Sequence, residues 1–128
     1  MPGYDSATVH GYVYDPVKAA RLLQEAGFPG GEGLPVLTLK TIDTYADLAS
    51  YIVRQLQEIG LKVQVDITQK SLLLEETARS QASFFRGSWI GDYPDAENYL
   101  SVFYSPNPAP PNYTRYHNPA YDDLYRQR

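Results

Sequence analysis

The run 61-LKVQVDI-67 leaves few choices. Leu61, Val63, Val65 and Ile67 alternate with Lys62, Gln64 and Asp66, the period of a strand with one buried face. Gly60 stands just before it and ends an amphipathic helix expected over 44–59, where Tyr45, Leu48, Ala49, Ile52, Leu56 and Ile59 recur at helical spacing. Upstream, 36–41 alternates as well, with Leu37 and Leu39 on one face. A strand, a helix and a second strand in this order predict parallel pairing through a right-handed crossover.

The flanks extend the pattern. Asp15-Pro16 opens a helix with an N-cap residue and a first-turn proline, Ala19, Leu22, Leu23 and Ala26 form its expected buried stripe, and Gly27 ends it. The loop 27-GFPGGEGLP-35 is glycine-rich, but it leaves a helix rather than entering one and lacks a following Lys-Ser/Thr, which argues against a phosphate cradle. A third helix is expected over 69–80, with Leu73, Leu74 and Ala78 as anchors, and a third strand over 83–90. A helix capped by Asp95 follows over 96–104, then a Pro/Asn-rich loop, 105-SPNPAPPNY-113, and a last helix opened by Asn118-Pro119. The expected fold is α/β, a single domain over 1–128 with a mostly parallel sheet in the order 2-1-3. Residues 1–14 read as an irregular lead-in. The last helix runs off the end of the chain, so the expectation is an excised piece of a longer protein.

Composition narrows the function. Of 128 residues, 43% are hydrophobic and 20% charged, enough apolar material for a core. The net charge is −4 and the Lys and Arg residues are scattered, which argues against nucleic acid. With no cysteine, thiol catalysis and zinc–thiolate sites are excluded. No apolar run approaches the roughly 20 residues that span a bilayer, so membrane insertion of this stretch is not expected. Tyrosine is over-used, 12 against 4 phenylalanines, which suits half-wet surfaces and ligand clefts as well as the margins of a core.

The segment 87-GSWIGDYPDAENYL-100 carries the candidate site. In open parallel sheets ligands bind beyond the carboxyl ends of strands. If the third strand ends near Trp89-Ile90-Gly91-Asp92, Asp92 projects at that rim, Trp89 forms an aromatic wall and Gly91 lets another backbone approach. Main chain near Ile90 could pair with an extended ligand, and Asp92 could accept charge-assisted hydrogen bonds from an ammonium. Tyr93 completes the candidate set. Each has a plainer reading: Asp92 as a turn aspartate, Trp89 as a core residue with a satisfied indole N–H, and Asp95 as a helix cap.

Rival classes use nearby groups. A hydrolase would need His117 with Ser105 and Asp122; His10 and His117 fall in expected loops, and nothing puts a nucleophile on a strained elbow. A metal module could draw on Asp92, Asp95, Glu97 and Asn98, but their spacing lacks the alternating acids and glycine of a calcium loop. The helix 44–59 could bind a partner, although its stripe suits packing on a sheet. Asp122-Asp123 and Glu75-Glu76 read as solvated helix faces.

Four segments together resemble the family 5 extracellular solute-binding proteins of ABC importers, the dipeptide- and oligopeptide-binding group. They are 14-YDPVKAARLLQEAGFPGG-31, 54-RQLQEIGLKVQV-65, 88-SWIGDYPDAENYL-100 and 112-NYTRYHNPAYDDL-124. Two positions depart from the family pattern: Ser80-Gln81-Ala82-Ser83 stands where Gly-x-x-Asp is usual, and Ala96 replaces a proline. The resemblance implies a three-layer lobe like those of periplasmic binding proteins, here most of the carboxyl-terminal lobe of a bilobed protein. It implies that Asp92, in the Trp-x-x-Asp motif, holds a peptide α-amino group, and that Trp89 and Ile90 line the cleft. It also implies a membrane permease as partner, no enzymatic activity, no cofactor, and a periplasmic or extracytoplasmic location, with a lipid anchor compatible with the parent. Peptides, nickel and sugars are all ligands within this family.

Overall fold

The computed structural model describes residues 4–127, which group into two compact units. The first comprises Ser6–Lys70 with Phe84–Arg86. Its centre is the expected strand–helix–strand: β1 (Leu37–Thr41), α2 (Ala46–Glu58) and β2 (Val63–Ile67). A 3₁₀ turn, Asp43–Tyr45, leads into α2. The strands pair in parallel over five positions, from Leu37 opposite Val63 to Thr41 opposite Ile67. Leu39, Ala49, Val53 and Val63 form the buried core, with Leu37, Ile52, Leu56, Leu61, Val65 and Phe84 packed around it. Burying a Leu or Val side chain of this kind contributes about 2 kcal/mol, so the β1–α2–β2 contact holds this unit together.

Helix α1 (Pro16–Glu25) begins as expected: Asp15 caps it by accepting from Lys18 N at 2.9 Å. Its apolar stripe is another matter. None of its residues is buried, and Leu22 is half exposed. The residues from Tyr4 to Asp15 are irregular, as expected of the lead-in; residues 1–3 lie outside the described residues. The glycine-rich loop has a packing role. Gly60, at φ +96°, sits so close to the loop that a Cβ there would lie 2.0 Å from the Gly30 carbonyl oxygen. Two backbones meet where no side chain fits.

The third strand expected over 83–90 does not form. Lys40 N donates to Phe84 O and Arg86 N donates to Lys40 O, both at 3.0 Å, which makes a single parallel bridge between Lys40 and Phe85. The sheet therefore has two strands, β1 and β2. The physical reason is the shortness of β1. Its odd-numbered residues face β2, so Lys40 is the last residue of the strand whose backbone points to the opposite edge. Gly87 and Ser88, poor strand formers, come next. The Arg86 guanidinium stacks on the Tyr45 ring at 3.4 Å from the centroid, securing the bridged segment.

The second unit takes in Tyr4 and Asp5, Ser71–Ser83 and the described chain from Gly87 onward. It contains α3 (Lys70–Ala78, all but its first residue), α4 (Ala96–Leu100) and α5 (Pro119–Arg126). Leu73 anchors α3 as expected, whereas Leu74 is exposed; Thr77 is the second buried residue, its hydroxyl donating to Leu73 O at 2.9 Å. Asn118 caps α5 by accepting from Ala120 N and Tyr121 N. Arg128, in the stretch read as a helix running off the chain end, lies outside the described residues. Many of the tyrosines pack here: Phe103, Tyr116 and Tyr121 meet edge to face, and Tyr104 stacks on Tyr125 at 4.2 Å. Asn112 is buried and organises the proline-rich loop. Its amide donates to Tyr104 O and Tyr116 O and accepts from Tyr116 N.

Candidate functional site

The candidate segment belongs to the second unit and is built backwards from α4. Asp95 is extended (φ −129°, ψ 139°), and its carboxylate accepts from Glu97 N at 2.8 Å, so it is the expected cap. That cap fixes the register of a five-residue helix and places Asn98 at its buried face, 5% exposed. Asn98 Oδ1 accepts two hydrogen bonds, one from Trp89 Nε1 at 2.9 Å and one from Asp92 N at 3.0 Å. The next residue, Tyr99, accepts from Gly91 N through its hydroxyl at 3.2 Å.

Each candidate residue now has a position. Trp89 is half-buried with its indole N–H satisfied, as in its plainer reading. The residue as a whole stays partly exposed. Ile90 is 87% exposed. Gly91 admits a close neighbour, but that neighbour is a side chain and not a second backbone: a Cβ here would lie 2.5 Å from the Tyr99 hydroxyl oxygen. Asp92 is exposed, and among the described residues its carboxylate accepts no hydrogen bond and forms no ion pair. It does not stand at a strand end, because the strand is absent; a turn held by α4 presents it instead. Tyr93 donates its hydroxyl to Glu97. That bond is the main reason its pKa is raised, with the Asn98 amide acting in the opposite direction.

The rival chemistries lose their groups to other duties. Asp95 is occupied as a cap, and Glu97 accepts the hydroxyls of Tyr93 and Tyr125. Among the described residues no three of His, Cys, Asp and Glu converge on a metal position. The Ser105 hydroxyl and backbone N–H both donate to Asp122, with no imidazole between them. A nucleophile of a triad would give its proton to histidine; here the contact ties the proline-rich loop to α5. Those two bonds, the hydroxyl's first, hold the Asp122 carboxyl below the ordinary carboxylate range. The solvated face expected at Asp122-Asp123 is thus half right. Asp122 is buried and bonded, while Asp123 is exposed and pairs with Arg126.

A shallow cavity of about 490 Å³ is lined by Tyr93, Asp95, Ala96, Glu97 and Leu100. It shares only Tyr93 with the candidate set. Asn98 is the residue whose role sequence reasoning missed, having entered only as a conceivable metal ligand. Its one signal was position: the third residue after a capping aspartate falls on the inner side of the first helical turn.

Residues 1–111 match the family model described as bacterial extracellular solute-binding proteins, family 5 Middle. The glutathione-binding protein GsiB of Escherichia coli (strain K12) is 30% identical over 122 residues, covering 89% of this chain and 24% of its own length. Among solved structures, the periplasmic binding protein DppA from Helicobacter pylori in complex with peptide STSA aligns with a TM-score of 0.86 and 26% identity, covering 99% of this chain and 25% of its own. The periplasmic oligopeptide-binding protein OppAIV from Borrelia burgdorferi aligns with a TM-score of 0.81 and 26% identity, covering 94% and 24%. The α/β fold is therefore of the periplasmic-binding-protein kind, and this chain spans about a quarter of the length of each of these three relatives.

Proposed function

Since this chain belongs to the family 5 bacterial extracellular solute-binding proteins, we propose that it is most of the carboxyl-terminal lobe of the substrate-capturing component of an ABC importer. The parent binds a peptide, or a related solute, between two lobes outside the cytoplasm and delivers it to a membrane permease. In the parent the Phe85 segment serves as the third strand, on the free edge of β1, which gives the order 2-1-3. Asp92 receives the ligand's α-ammonium; Trp89, Ile90, Gly91 and Tyr93 line the approach. The chemistry of the relatives' ligands agrees, because glutathione and an unblocked peptide both carry that ammonium.

One observation carries this reading: the exposed, unpartnered carboxylate of Asp92 on a turn whose backbone is tied down. An aspartate serving only its own turn would spend its oxygens on neighbouring N–H groups. Closure of the lobes removes water, so the attraction between carboxylate and ammonium strengthens as the local dielectric falls. Desolvating both charges costs several kcal/mol each, and hydrogen bonds of good geometry must offset it. No bond of the ligand is broken.

The test is calorimetry on the full-length protein with the peptide STSA, free and N-acetylated. Asp92→Ala should weaken binding of the free-amino form about 10- to 150-fold, the range for one charge-assisted hydrogen bond of about 1.5–3 kcal/mol, and spare the acetylated form. Equal losses for both peptides would remove the amine anchor.

A further inference from the structure

We propose that Asn98 is the positioning residue of this site: through one carboxamide oxygen it fixes Trp89 and the backbone of Asp92 together, so that the carboxylate is already in place when an ammonium arrives. The inference rests on the amine-binding reading above but concerns a residue that touches no ligand.

The argument starts from the orientation of the amide. Two N–H donors converge on one atom of Asn98, at 2.9 Å from the indole and 3.0 Å from the Asp92 backbone. Turning the amide over would face donors with donors, so Oδ1 is the atom that must sit there. Asn98 is itself 5% exposed on α4, and its backbone N–H donates to Asp95 O, the residue that caps the same helix. The side chain is therefore held from behind while it holds the turn in front. The Tyr99 hydroxyl adds a third tie at Gly91 N. Few other restraints exist, because no regular element covers 86–95. Without the Oδ1 contact, Asp92 would sample many positions, and an arriving ligand would have to order it at an entropic cost.

The arrangement also couples two contacts that are separate in sequence. A ligand group pressing on the Trp89 ring acts on the same oxygen that restrains Asp92. Aromatic contact and amine recognition should therefore rise and fall together.

The experiment uses the full-length protein with Asn98→Leu, which removes the acceptor at similar volume, and Asn98→Asp, which keeps an oxygen there. The first readout is the affinity ratio of free to N-acetylated STSA by calorimetry. The second is the ¹H–¹⁵N resonance of the Trp89 indole, assigned with Trp89→Phe. Asn98→Leu should reduce the ratio about tenfold, roughly the entropic cost of ordering one residue's backbone when the ligand arrives, and shift the indole resonance. Asn98→Asp should retain both. A lowered melting temperature with an unchanged ratio and resonance would reduce Asn98 to a structural residue and overturn the proposal. So would Asn98→Asp behaving like Asn98→Leu. If Asn98→Leu fails to fold, Asn98→Ser, too short to reach both donors, carries the same expectations. The indole readout needs no ligand; if the amine anchor itself fails the Asp92→Ala test, an unshifted resonance still refutes the positioning claim by itself.

Discussion

Replacing Gly60 with alanine should damage this protein far more than replacing Gly27, although the two glycines have nearly the same backbone conformation. Gly27 has φ +93° and Gly60 φ +96°. In that region a side chain costs roughly 1–2 kcal/mol, partly offset by about 0.4–1 kcal/mol from restricting the unfolded chain. Gly27→Ala meets nothing within 4 Å, so it should cost only the remainder, about 1 kcal/mol. At Gly60 the new Cβ would lie 2.0 Å from the Gly30 oxygen and 2.6 Å from its carbon. Those are backbone atoms and cannot rotate away. The loop must move, at a further cost of about 1–3 kcal/mol, and the Leu61 N to Leu56 O bond that closes α2 lies next to the disturbance. The expected total at Gly60 is about 3 kcal/mol. Equilibrium urea unfolding followed by far-ultraviolet circular dichroism reads the difference as a shift in midpoint at unchanged slope. Equal shifts for the two variants would refute the close approach of the loop to the end of α2, and with it the structural account of the glycine-rich segment.

Two further outcomes concern the second unit. Asn112→Ala should destabilise by about 3 kcal/mol, because two carbonyls and one N–H around Tyr104 and Tyr116 lose their buried partner; Asn112→Asp should recover only part of this, restoring the acceptor but neither donor, and thermal melting of both would show it. Ser105→Ala should raise the Asp122 pKa toward the ordinary value, visible in an NMR titration of its carboxyl carbon. Because the folded-state pKa is depressed, the associated stability is present above the ordinary carboxylate range and is lost as the pH falls through the lowered value. The variant should therefore lose stability near neutral pH and show a shallower acid limb; superimposable acid limbs would exclude the linkage.

Local signals in this chain were readable because they act over a few residues. The caps at Asp15, Asp95 and Asn118 each satisfy N–H groups two or three positions ahead, and all three form as expected. The β1–α2–β2 elements were equally legible, and Leu39, Ala49 and Val63 meet in one core as their periods of 2 and 3.6 imply; Val53, outside the expected stripe, is buried with them, while Leu48 of that stripe is exposed. The family, too, lay in the order of four short segments.

What failed to show in the linear text depends on partners far along the chain. Asp122 and Asp123 are the same residue type side by side, and only the facing of α5 decides that one is buried against Ser105 and the other pairs with Arg126 at the surface. The run 83–90 has the residues of a strand, but a strand needs sustained pairing along an edge, and it meets β1 through a single bridge, Lys40 with Phe85. Asp92 thus owes its exposure to α4 rather than to a sheet. The carboxamide of Asn98 gathers groups six and nine residues upstream, and such a convergence exists only after the backbone has folded around it. Periodicity and capping chemistry mark the helix starts and the β1–α2–β2 unit; whether the 83–90 run becomes a strand, and which polar atoms meet between elements, is decided by tertiary packing, since a hydrogen bond across a turn carries no mark in the spacing of the residues that make it.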